Sequence, residues 1–364
     1  MGQHDHPVPG GPRSEVEPGE PRSEAGAGEP RGEAGPGEPR SEGEASDVKK
    51  LKLPLWQRSL PWVVTIACFA YLYFRIEAQA ARDGSSAVPY LANVFADVSW
   101  TRWLALMVPY SIFFFLIDSV VVWRIINWFN ARISYRDILP IRGSAYIISI
   151  LNEQVGKGVM AVYLNRRDGV PGWQVGSSML FIMFCEFYYL LMWALVGYAL
   201  QGETLPPDFG MIRWVGAGAV AFFAVWLLYF RGVIAPASQL RKRHLLHAFS
   251  QARWWHYGVI VLLRSPALLS AVVVYTLALR LFGLEASFLE LLAYLPLIFF
   301  GAAIPTPMRA AAITLWSFLY PENPAQATAF GLVQHNFFIF FNAAIGLVFL
   351  RRANRELFSK QQSA

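Results

Sequence analysis

Charge is what this sequence has least of. Only 15% of its residues are Asp, Glu, Lys or Arg, against about 25% in soluble domains, and many of those lie in the first 50 positions. The rest of the chain is therefore more apolar than the averages of 55% hydrophobic and 15% aromatic residues suggest. That excludes a soluble globule with a large core and predicts a polytopic membrane protein. The net charge of +6 does not point to nucleic acid. Lys and Arg cluster between apolar segments, where the positive-inside rule places them, so no nucleic-acid partner is expected. Cysteine is nearly absent: Cys68 and Cys185 both fall in apolar segments and read as small buried hydrophobes rather than a disulfide or a metal site. Neither metal nor cofactor is expected. Catalytic signatures are also missing, with no paired Asp-rich motifs and no H-E-x-x-H zinc helix. Ser177 and Ser178 in "GSSM" read as capping or helix-packing residues. With no soluble domain long enough for a nucleotide, the chain is expected not to be an enzyme.

Residues 1–54 are present but uninformative about chemistry. They are rich in Gly, Pro, Glu, Arg and Ser and carry a nine-residue repeat: "GEPRSEAGA" from Gly19, "GEPRGEAGP" from Gly28, "GEPRSEGEA" from Gly37. Such units cannot bury a core, which predicts a disordered tail, and they lack the basic and apolar regions of a signal peptide.

From residue 55 to 356 the chain predicts a helical membrane domain, followed by a short cytoplasmic tail at 357–364. About eight apolar segments are expected, near 61–74, 103–126, 175–200, 211–230, 257–281, 288–304, 310–320 and 327–350. Most match a hydrocarbon core of about 30 Å. Basic connections carry Arg132, Arg136, Arg142, Arg166 and Arg167, then Arg231, Arg241, Lys242, Arg243 and Arg253, then Arg351, Arg352 and Arg355. The connections "QGETLPPDFG", "LFGLEA" and "YPENPAQ" carry none. All the basic connections fall on one side only if 141–164 enters and leaves by the same face. That stretch, containing Asn152, Gly156 and Gly158, is expected to be a re-entrant hairpin whose glycines allow its turn. Pro296, Pro305 and Pro307 mark a second interrupted element at 288–320. Broken helices at membrane depth must be shielded by protein or line a wet cavity, and one in each half points to a central transport site. Positive charge at Lys49, Lys50, Lys52 and Arg58 before the first span predicts a cytoplasmic N-terminus; the same count puts the C-terminus there too.

The charges at bilayer depth are few. Each costs about 2.5–3.5 kcal/mol to insert, so each requires a partner or a polar pocket. Asp118, Glu153, Lys157, Glu186, Arg264 and Arg309 are the candidate cavity residues, Glu153 and Lys157 standing at i, i+4. Glu290 reads as an interface residue and His335 as a packing residue. The basic, Leu- and Trp-bearing stretch from Arg231 to His256 suits either an interfacial helix on anionic lipid or a solvated loop.

"GKGVMAVYLNRRDGV" followed by "GSSMLFIMFCEFYYLLMWAL" resembles the core of the lysylphosphatidylglycerol synthase transmembrane region, a flippase-like integral membrane family. Gly156 matches the glycine of its re-entrant motif, Arg166, Arg167, Gly169 and Val170 its basic turn, and Glu186 the acidic residue of its next span. "IPTPMRAAAITLWSFLYPENPAQATAFGLVQ" resembles its second motif region. Lys157 stands where the family carries Glu, and Phe187 follows Glu186 where the family carries Arg. The resemblance implies a bacterial cytoplasmic-membrane protein, without a synthase domain, that moves a phospholipid or lipid-linked headgroup between leaflets. In that reading Lys157, Arg264 and Arg309 meet a lipid phosphate while Glu186, Glu153 and Asp118 balance charge, and membrane lipids are the partners. The alternative expectation is a non-transporting scaffold for a membrane enzyme that modifies envelope lipid or glycan, with a small membrane transferase as a third.

Overall fold

Long apolar runs should form spanning helices, and six do among the described residues, two of them in spite of an internal proline. The structure is a computed structural model that describes residues 55–149, 153–201, 205 and 207–358. The repeat tail, Asn152 and the extreme C-terminus lie outside the described residues. In chain order the helices are α1 (Leu55–Ala80), α2 (Ala87–Ala96), α3 (Trp100–Phe129), α4 (Tyr135–Ser149), α5 (Glu153–Asp168), α6 (Gly172–Gln201), α7 (Ile212–Phe230), α8 (His247–Gln251), α9 (Trp254–Arg280), α10 (Phe288–Ala303), α11 (Ala310–Leu319) and α12 (Pro324–Phe358). No strand occurs among the described residues. α1, α3, α6, α7, α9 and α12 are long and apolar enough to cross a membrane. Their outward faces carry exposed Trp62, Ile66, Phe74, Trp214, Phe222 and Val348, side chains that only a lipid environment tolerates in such number. The chain is an all-α, multi-pass membrane protein.

The remaining long elements pair into two hairpins. α4 and α5, of 15 and 16 residues, are about 22 and 24 Å long, short of a full crossing. Their outer ends are clasped together: the Arg167 guanidinium of α5 lies 3.1 Å from the Asp137 carboxylate of α4. Arg352, near the end of α12, reaches the other oxygen of Asp137 at 3.0 Å. The segment thus returns to the end of the bundle from which it starts, as the distribution of basic residues requires. Burial pushes the Asp137 carboxyl up, but the Ser134 hydroxyl and the Arg167 guanidinium outweigh it and hold the group below its ordinary value. The glycines play a different part from the one expected. Gly156 and Gly158 lie inside α5 rather than at the turn. A Cβ on Gly156 would collide with the Ser149 side chain and stand 2.8 Å from the Ala145 carbonyl oxygen, so this glycine lets the two helices approach.

α10 and α11 form the second hairpin, from the opposite end. They correspond to the sixth and seventh apolar segments, and at 16 and 10 residues both are shorter than the bilayer core. Tyr320 at the outer end of α11 meets Tyr294 in the middle of the longer α10 edge to face, with centroids 5.9 Å apart. Ser287 caps α10 by accepting the Glu290 N–H at 3.1 Å, and the Glu290 carboxylate reaches back to the Ser287 N–H, a capping box that accounts for Glu290. At the inner end Pro305 and Pro307 stop the chain, and Met308 and Arg309 both adopt left-handed backbone (φ 54°, ψ 19° and φ 54°, ψ 37°). Non-glycine residues in that region cost on the order of 1–3 kcal/mol each.

Both hairpins rest on α12. Gly331 admits the Trp316 ring of α11, which a Cβ would meet at 2.7 Å, while Gly346 lies directly against the Gly143 carbonyl of α4. The buried apolar side chains accordingly form two large clusters. One surrounds α10–α11 and includes Trp103, Tyr275 and Phe330. The other surrounds α4–α5 and includes Ile125, Met160 and Phe181. The boundary between them holds the charges.

Candidate functional site: a charged cavity between two opposed hairpins

Three spanning helices each change core at one charged residue. On α3 the chain passes from Tyr110 in one cluster to Val121 in the other, with Asp118 between. Glu186 lies between Cys185 and Tyr189 on α6, and Arg264 between Ile260 and Leu268 on α9. These three deep charges, each isolated in its own span, meet in space. The Arg264 guanidinium donates to Glu186 at 3.2 Å and to Asp118 at 3.4 Å.

α4 adds two residues to the group. The Arg142 Nε–H donates to Asp118 Oδ2, the Tyr146 hydroxyl donates to the same oxygen at 2.8 Å, and the Arg142 guanidinium lies 4.4 Å from the Tyr146 ring centre. Arg142 is therefore not a flanking loop charge, as its neighbourhood of arginines suggested. It is carried inward on α4 and fixes the first hairpin to α3. Exposure of the side chains is 3% for Asp118, 8% for Arg264 and 12% for Arg142, against 37% for Glu186. Removing either partner from so dry a network strands a charge, which costs about 3–5 kcal/mol.

These groups line a cavity of about 350 Å³, within the size range of ligand pockets. The inner parts of both hairpins border it, Tyr146 and Ser149 from α4 and Ala303 and Arg309 from the α10–α11 break. Phe114, Phe299, Phe300 and Phe338 contribute apolar wall. Among the described residues the lining carries three guanidiniums and two carboxylates, an excess of one positive charge. Both carboxylates face guanidiniums, whereas Arg309 has no ion-pair partner among the described residues. Glu186 owes its exposure to its position: Met183 and Phe187 beside it on α6 are exposed, as are Ile304 and Met308 at the break. Met183, Glu186 and Phe187 line the cavity and are partly exposed, so it reaches the surface along this face of α6.

Of the six charges expected at the site, Asp118, Glu186, Arg264 and Arg309 line this one cavity. The side chains of Glu153 and Lys157 lie outside the described residues. His335 lies in the lining as well, with Gln334 and Asn342. Gln334 and Asn342 carry no charge to mark them in the sequence, although polar residues at i, i+1 and i+8 of a long apolar helix fall toward one side. Ser177 and Ser178 serve helix packing: Ser177 accepts the Ala248 N–H at 2.9 Å and Ser178 donates to Asn130 at 2.7 Å. Cys185 is buried and Cys68 half-buried, both free. No three His, Cys, Asp or Glu side chains among the described residues converge to hold a metal.

No protein-family model, curated protein or solved structure matches the chain. The geometry of the cavity is therefore the main guide to function.

Proposed function

We propose that this protein moves an anionic lipid headgroup across the membrane, the lipid phosphate resting against Arg309 in the central cavity. The observation that carries the reading is the unpaired Arg309 guanidinium at the strained end of a broken helix, facing a neutralised charge network in a laterally open cavity. A guanidinium is well suited to a phosphate oxygen pair. The apolar walls and the opening beside α6 suit entry of a headgroup whose acyl chains stay in lipid. Two interrupted elements flanking a midplane site are a recurring arrangement in transporters, and the resemblance to the flippase-like family favours the same reading. The clustering of basic residues at the α4–α5 end supports an orientation with both chain ends in the cytoplasm.

The test is transverse movement of fluorescent phosphatidylglycerol in reconstituted vesicles, read by dithionite quenching. Wild-type protein should accelerate it, and Arg309→Gln should slow the accelerated rate about tenfold or more, as expected for loss of a charge-assisted contact. Vesicles carrying folded wild-type protein that flip no faster than protein-free ones would rule the proposal out and leave the scaffold reading.

A further inference from the structure

In the same cavity as the α10–α11 break, the wall built by α12 carries three polar side chains whose hydrogen-bonding capacity is only partly used by the described residues. His335 is 1% exposed, Gln334 2% and Asn342 3%. Among the described residues, neither ring nitrogen of His335 has a partner, nor do the Gln334 Oε1 and Asn342 Oδ1 atoms. Gln334 does bond the Tyr275 hydroxyl, but whichever way its amide is turned, one of its two polar atoms is left over. All three side chains line the same cavity. Along α12 they extend over about 12 Å, the length of a headgroup rather than of a single ion. Buried polar atoms without partners cost about 1–3 kcal/mol each, so a row of them facing a cavity implies something that fills it.

The chemistry of that occupant is set by what the row lacks. It contains no carboxylate, and the two described carboxylates elsewhere in the cavity face guanidiniums, so among the described residues an ammonium headgroup finds no free counter-charge. A neutral imidazole presents one donor and one acceptor nitrogen. Only groups that both give and receive hydrogen bonds satisfy it in either tautomer together with amide oxygens, and alcohol hydroxyls do both. Arg309, which has no ion-pair partner among the described residues, lines the same cavity as this row and Tyr275. We infer that Gln334, His335 and Asn342 form a hydroxyl-recognising subsite in the same cavity as Arg309, so that the headgroup is a phosphate ester of a neutral polyol. This rests on the anionic-lipid reading and narrows it to a substrate class.

The test uses calorimetric titration of the full chain in micelles with short-chain lipids. Phosphatidylglycerol is compared with phosphatidylethanol, which has the same charge and no headgroup hydroxyl, and with phosphatidylethanolamine. Wild-type protein should bind phosphatidylglycerol about tenfold tighter than phosphatidylethanol, the yield of one or two net hydrogen bonds, and phosphatidylethanolamine weakest. Asn342→Leu and Gln334→Met should each shrink that preference, in variants whose size-exclusion profile and helical circular dichroism match wild type. Arg309→Gln should weaken both anionic lipids alike. Equal binding of the two anionic lipids by wild type, or a full preference surviving in both α12 variants, overturns the subsite, and ordered water then fills the row. Free glycerol 1-phosphate binding as tightly as the lipid overturns the lipid reading and leaves the subsite standing. If no anionic lipid binds, both fall.

Discussion

At the scale of single residues the molecule is organised by Asp118. Its carboxylate takes the Arg142 guanidinium and the Tyr146 hydroxyl on one oxygen and Arg264 on the other, which joins α3, α4 and α9 at one point. Asp118→Asn keeps the shape and removes the charge that the buried Arg142 and Arg264 guanidiniums share. The variant should lose about 3–5 kcal/mol, visible as a large drop in Tm in detergent. A loss below about 1 kcal/mol, the range of exposed pairs, would mean that the network is wet rather than dry. The sequence displayed Asp118, Glu186 and Arg264 as anomalies because a charge inside an apolar run stands out. It hid Arg142, because an arginine close to other arginines reads as an interface residue until α4 is seen to carry it inward. It hid Asn342 and Gln334 for another reason: an uncharged polar residue in a spanning helix usually bonds fully within the bundle, and only the fold shows that each of these keeps an amide oxygen without a partner among the described residues.

At the scale of elements, the two hairpins were legible to different depths. The α4–α5 return follows from counting basic residues on either side of 141–164. The α10–α11 break follows from Pro305 and Pro307. What no local pattern contained was the inward end point of each, which depends on packing against α12 through Gly346 and Gly331. The clasp at Asp137 yields a pH prediction. Because its folded-state carboxyl titrates below the ordinary value of 3.8, its stabilisation is complete above that pH and declines as pH falls below it. Asp137→Asn should therefore lower Tm at neutral pH by the equivalent of about 1 kcal/mol, the scale of a surface pair. The gap to wild type should close in melts recorded below pH 3.8. A gap independent of pH would show that the Asp137 ion pairs contribute nothing.

For the whole molecule, the orientation proposed above makes opposite predictions for the two ends of α9. This helix of 27 residues, about 40 Å long, separates exposed Gln239 from exposed Glu285. In a background with Cys68 and Cys185 replaced by Ala, an impermeant maleimide added to intact cells should label Glu285→Cys and spare Gln239→Cys until the membrane is opened. The reverse pattern would invert the molecule and put the basic loops outside.

Because both hairpins rest on α12, the order of synthesis acquires a meaning. α4 and α5 leave the ribosome long before the helix they pack against, and α10–α11 only shortly before it. Neither pair is long enough to be held by lipid alone, so each waits, the first for about half of the chain's translation, with its polar backbone turn in need of protection. The cavity is incomplete until α12 arrives and supplies the wall that carries Gln334, His335 and Asn342.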